Sequence, residues 1–161
     1  MIRTFKSIFV LLLALMALFY ALQNIANIDA CYAAIAYVLS MQDHSAYPNS
    51  IIPAITAGWL VWAAVIVIIS SEIIAAALLL VGFWHLWNAR KAASKEFNQS
   101  KTFAFYGAGV GIIVWFGYFG VGGGALMQMW QTQAGGLSLT GAFQYFASCV
   151  FVWLILAIPE N

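Results

Sequence analysis

The chain has 161 residues, of which six are Lys or Arg and five are Asp or Glu, for a formal net charge of +1. Charged residues make up 7% and hydrophobic ones 65%, with a mean hydropathy of +0.94, whereas an ordinary soluble domain is about 25% charged. This excludes a soluble globular domain, a disordered chain and a nucleic-acid binder, and leaves a polytopic protein whose first partner is the lipid bilayer.

A helix needs roughly 20 apolar residues to cross the hydrocarbon core. The first span is expected over about 7–24, where Arg3 and Lys6 precede the unbroken apolar run Ile8 to Leu22. The same pattern describes a signal peptide, but Gln23 and Asn24 stand where a small-x-small cleavage site belongs. The next apolar stretch, about 30–41, is too short to span. With Asp29 as N-cap it is expected to form a short helix in the interface or docked over the bundle, a re-entrant segment being the alternative.

The second span is expected over about 55–87. Trp59 and Trp62 mark one end and Trp84 and Trp87 the other. Trp59 to Trp87 covers roughly 42 Å of helix, close to the core plus headgroup thickness. A polar loop over about 88–101 carries Arg90, Lys91, Lys95, Glu96 and Lys101. The third span is expected over about 102–121, closed by Gly122, Gly123 and Gly124, a triplet that should end or loosen the helix. Residues 125–137 read as a loop or short interfacial helix, and the fourth span as about 139–158.

Four spans put both termini on one side, together with all six basic residues, while the opposite loops carry Asp29 and Asp43. The positive-inside rule makes the basic side cytoplasmic. The expected fold class is all-α: one integral membrane domain of four transmembrane helices plus a short outer helix, N and C termini cytoplasmic, in the inner membrane of a bacterium.

Glu72 is the outstanding residue. It lies near the midpoint between the two Trp pairs, where an acid costs several kcal/mol unless it faces the protein and finds partners. It is read either as a proton- or cation-handling carboxylate or as an acid that fastens its span, with Ser70, Ser71 or a Tyr of another span as partner. Ala104, Gly107 and Gly111 share one helix face in a small-xxx-small pattern, which suits close packing within the chain or between copies. His85, at a membrane edge, and Trp130 with Gln131 are candidate ligand contacts. His85 and His44 fall on opposite sides, which disfavours an intrachain bis-histidine haem. Asp43 and His44 lack further metal ligands beyond Asp29 and Cys31, and Cys31 and Cys149 lie at different depths, so neither a metal site nor a disulfide is expected. No cofactor is expected, and Ser, His and acid residues do not cluster as a catalytic site would require.

Several strings carry a resemblance when taken in order: Val38-Leu39-Ser40-Met41; Glu72; Leu86-Trp87-x-Ala89-Arg90; Phe97-Asn98-x-x-Lys101; and Met129-Trp130-Gln131-Thr132-Gln133 with Phe143 after it. The chain resembles the bacterial family described as predicted small integral membrane proteins, a domain of unknown function. The resemblance covers nearly the whole chain and implies the four-span architecture, but no activity. The sequence departs from the family pattern at Tyr37, where a histidine is usual, and at Gln42, where an acid is usual.

Three functions are compatible with these observations. The first is a structural or accessory membrane component, not an enzyme, that self-associates as a homo-oligomer or joins a larger membrane complex. The second is a small proton- or ion-coupled carrier or channel using Glu72. The third is a quinone- or lipid-binding subunit of a respiratory complex.

Overall fold

The computed structural model describes residues 1–160. Among them there is no strand, and four helices are long and apolar enough to cross a membrane. The elements run α1 (Ile2–Ala26), α2 (Ile28–Leu39), α3 (Gly58–Ala89), α4 (Ser94–Gln99) and α5 (Thr102–Ile112). A π-helical segment (Ile113–Leu126) prolongs α5, and after a 3₁₀ turn (Met129–Gln131) comes α6 (Gln133–Ala157).

Helix α1 starts at Ile2, earlier than the apolar run suggests, because Arg3 and Lys6 are not a solvated flank. Lys6 is buried, and both side chains bond within the bundle end. Val10, Leu13, Ala14, Ala17 and Ala21 form the buried stripe, at the three-and-four spacing of a helix face.

A single residue, Asn27, separates α1 from α2, with φ −122° and ψ 44°. It is the cap residue of α2, and Asp29, expected in that role, is the second residue of the helix, in its first turn, where its charge suits the positive helix end. Helix α2 is docked on the bundle. Its Tyr32 ring lies 4.9 Å from Trp62, and the Leu39 carbonyl accepts the Ile55 amide at 2.8 Å. The pairs Arg3–Ala92, Asn24–Glu72 and Leu39–Ile55 keep one antiparallel register. Helices α1 and α2 are thus the two halves of one kinked strut against α3.

Helix α3 has 32 residues, about 48 Å at the usual rise. It buries Val61, Val65, Ile69, Glu72, Ala75, Ala76, Leu79, Gly82 and Leu86, a continuous seam in which Glu72 occupies a core position. The expected polar loop contains the short helix α4, which brings Phe97 into full burial.

The glycine triplet does not end the third span. None of the three glycines has positive φ, and the Met127 amide bonds the Gly122 carbonyl, five residues back, at 2.9 Å. Residues without Cβ tolerate that wider turn, so the helix broadens instead of stopping. Helix α6 begins six residues before the expected span. Thr132 caps it by accepting the Gly135 amide at 3.1 Å, and a Cβ on Gly135 would run into the Met129 carbonyl.

Helices α3 and α5 approach closely. A Cβ on Gly82 would stand 2.6 Å from the Ala104 amide nitrogen, and one on Gly107 would stand 2.8 Å from the Leu79 nitrogen. Backbone cannot yield to such an atom. Gly82→Ala and Gly107→Ala are therefore expected to lower stability by about 1–3 kcal/mol, read as a fall in the unfolding midpoint in detergent. Gly109→Ala, where a Cβ meets nothing within 4 Å, should leave the midpoint unchanged or raise it.

Candidate functional site

Glu72 is 2% exposed. Its partner is Asn24 on α1, whose Nδ2 donates to Oε2 at 3.0 Å. The expected neighbours play other parts. Ser70 faces outward. Ser71 bonds the Val67 carbonyl at 2.7 Å and meets the Tyr118 hydroxyl at 3.3 Å. Two polar contacts, Asn24–Glu72 and Ser71–Tyr118, thus tie α1 and the π segment to adjacent positions of α3. In the sequence Asn24 only marks the end of an apolar run; the antiparallel register makes it the partner of an acid 48 positions away.

The other candidates separate. Ala104 and Gly107 face α3, while a Cβ on Gly111 would stand 2.7 Å from Cys149 Sγ on α6; the face is filled from within the chain. His85 is exposed, its ring 5.4 Å from Phe103. Gln131 clasps the loop before α3: its Oε1 accepts the Tyr47 amide at 2.8 Å and its Nε2 donates to the Gln128 Oε1 at 2.6 Å. The Trp130 ring meets Tyr47 edge-on at 5.2 Å. Cys31 and Cys149 are free thiols, and no group of three metal-ligating side chains occurs among the described residues.

A polar knot at the basic end went unforeseen, because its members read as topology signals. Helix α6 ends at Ala157 before Pro159, leaving the Ile158 carbonyl at the negative helix end. Lys6 and Lys101, each 3% exposed, donate to that one oxygen at 2.7 and 2.9 Å. Glu160 pairs with Lys6 at 2.6 Å and with Arg3 at 3.6 Å, and it exchanges two 3.1 Å hydrogen bonds with Asn98. The Arg3 guanidinium also donates to the Ala92 carbonyl and lies over the Phe97 ring. Burial alone would raise the Glu160 carboxyl, but the Lys6 hydrogen bond and the charges of Lys6, Lys101 and Arg3 outweigh it and hold the group below its ordinary value of 4.5.

A depressed acid stabilises the fold above its unfolded value and loses that contribution as pH falls through the folded value. The unfolding midpoint should therefore drop as pH is lowered below about 4.5, and Glu160→Gln should flatten that acid limb. At Glu72, Gln keeps an acceptor for Asn24, so Glu72→Gln should stay near wild type. Glu72→Leu leaves the Asn24 amide without its acceptor and should cost about 1–3 kcal/mol. Adding Asn24→Leu should restore most of the loss, a coupling that a double-mutant cycle in detergent reads directly.

No curated protein and no solved structure matches the chain. One family model does, that of the "Predicted small integral membrane protein (DUF2165)", over residues 2–159. Nearly the whole chain, with its four candidate spans, falls under that model, and the protein belongs to this family of small integral membrane proteins.

Proposed function

We propose that the protein is a structural rather than catalytic membrane component, and that it self-associates through the outward face of α6. The observation that carries this reading is Gln144. It lies in the middle of α6 and faces outward. Its depth is set by the adjacent Tyr145, whose ring packs 4.5 Å from Tyr20, one turn from Asn24.

The neighbouring hydroxyls satisfy themselves: Thr140 bonds the Gly136 carbonyl at 3.0 Å and Ser148 the Gln144 carbonyl at 2.9 Å. The Gln144 side-chain amide has no such bond among the described residues. In hydrocarbon that amide needs a partner. It both donates and accepts, so a second copy related by a two-fold axis completes it with an identical group. Helix α6 is also the least covered span, with 17% of its apolar window buried against 33–39% for the others. Bonded to Asn24 inside the core, Glu72 fits the fastening role better than that of a mobile carrier group.

In the orientation we propose, the basic end faces the cytoplasm, following the positive-inside rule. The test of association is cross-linking and native mass spectrometry in mild detergent. Wild type should run as an oligomer. Gln144→Leu should weaken association about tenfold, in line with the roughly 1–2 kcal/mol of an interhelical amide bond, and Gln144→Asn should preserve part of it. A wild-type protein that stays monomeric at all concentrations refutes the proposal.

A further inference from the structure

At the end opposite the basic knot the fold leaves two cavities, one above the other. The lower, about 320 Å³, lies between α2, α3 and the π segment. Ile35, Val38, Val67, Ile68, Phe119 and Gly122 line it. Val67 and Ile68 are one turn from Glu72, so this space lies within the apolar thickness of the membrane. The upper, about 300 Å³, is walled by Ser40, His44, Ser50 and Gln128. Leu39 and Met127 border the lower space, and the residues next in the chain, Ser40 and Gln128, border the upper one. An apolar chamber and a polar one thus lie side by side, next to each other along the chain at both α2 and the turn after the π segment.

Hydrogen-bond donors remain free in the upper space. The Ser50 hydroxyl oxygen accepts the Ile52 amide, which leaves its proton to give. The Gln128 side chain accepts from Gln131 through Oε1, leaving its NH₂ unused. Charge narrows the choice of ligand. All six Lys and Arg lie elsewhere in the chain, and the formal charge of the loop at this end is Asp43. Asp43 is exposed beside His44, with one carboxylate oxygen bonded to the Tyr37 hydroxyl at 3.1 Å. With no Lys or Arg in the lining of the upper space and an exposed carboxylate next in the chain to His44, a purely anionic headgroup finds no counter-charge here. A zwitterionic one can present its phosphate to the Ser50, His44 and Gln128 donors and its ammonium to Asp43.

The backbone around this mouth is unusual. Among the described residues, Met41, Asp43 and Gln128 are the non-glycine ones with positive φ, at 53°, 61° and 54°, a conformation that side chains disfavour and that concentrates at ligand clamps. The Gln131–Tyr47 clasp holds this loop in place.

We propose that the paired cavities bind one zwitterionic phospholipid, with an acyl chain between α2, α3 and the π segment and its phosphoethanolamine head under the Met41–Ser50 loop. The site is independent of the α6 face.

The experiment uses the full chain, purified in mild detergent and delipidated. It is titrated by native mass spectrometry with phosphatidylethanolamine and, separately, with phosphatidylglycerol of the same acyl chains. One phosphatidylethanolamine per chain is expected, with phosphatidylglycerol at least tenfold weaker. Gly122→Leu places a side chain in the lower cavity, where a Cβ meets only the Gly117 carbonyl at 3.7 Å; it should reduce binding at least tenfold with an unchanged unfolding midpoint. Gln144→Leu should leave lipid binding intact, which separates this site from the association surface. Equal or stronger binding of phosphatidylglycerol, no bound phosphatidylethanolamine, or undiminished binding by a folded Gly122→Leu each overturns the proposal. If Gly122→Leu does not fold, Ile35→Trp fills the same cavity from α2 and is read in the same way.

Discussion

The close approach of α3 to α5 is the constraint on which the rest of the structure depends. Lipid chains are as apolar as the side chains of a span, so helices in a bilayer gain little by simply hiding from their surroundings. They hold together where backbones come near enough for many weak contacts, and Gly82, Ala104 and Gly107 provide that nearness. With α5 fixed against one side of α3, α1 occupies another, and α6 closes on α5 through Gly111 and Cys149. The positions of Glu72, the π segment and both cavities follow from this arrangement.

Polar groups then select a single register. Asn24–Glu72 holds α1 to α3 inside the membrane, and Ser71–Tyr118 holds the π segment at the neighbouring position. At the basic end Lys6, Lys101, Arg3 and Glu160 bring together α1, α4, α5 and the end of α6. Desolvating such charges is expensive, so their value lies less in net stability than in the penalty for any arrangement that leaves one unpaired. The two ends of the molecule differ accordingly. One is closed by charge. The other is held by the Gln131–Tyr47 clasp and keeps open space beneath it.

The π segment links packing to function. Five glycines between Gly117 and Gly124 would be a liability in an isolated helix. Here they let the third span widen around Tyr118 and Phe119, and Gly122 borders the lower cavity, where a side chain would find open space. Helix α6, the least covered span, contributes its closest contacts on one side and presents Gln144 on the other.

The sequence by itself determined the solvent and the number of spans. Eleven charges among 161 residues admit only a membrane setting, and stretches of about twenty apolar residues follow from the thickness of hydrocarbon. It also singled out Glu72, because an acid at that depth needs a partner wherever the helices lie. Helix ends were legible only approximately: Thr132 and the glycines after it look like loop until the Met129 turn packs against Gly135. The partners were decided by tertiary structure alone. Asn24 meets Glu72, and Lys6 meets Ile158 and Glu160, through contacts 48 to 154 positions apart, which no local periodicity encodes. The cavities likewise exist only between elements, since an empty space is set by how the kinked α1–α2 strut and the widened third span lean on α3.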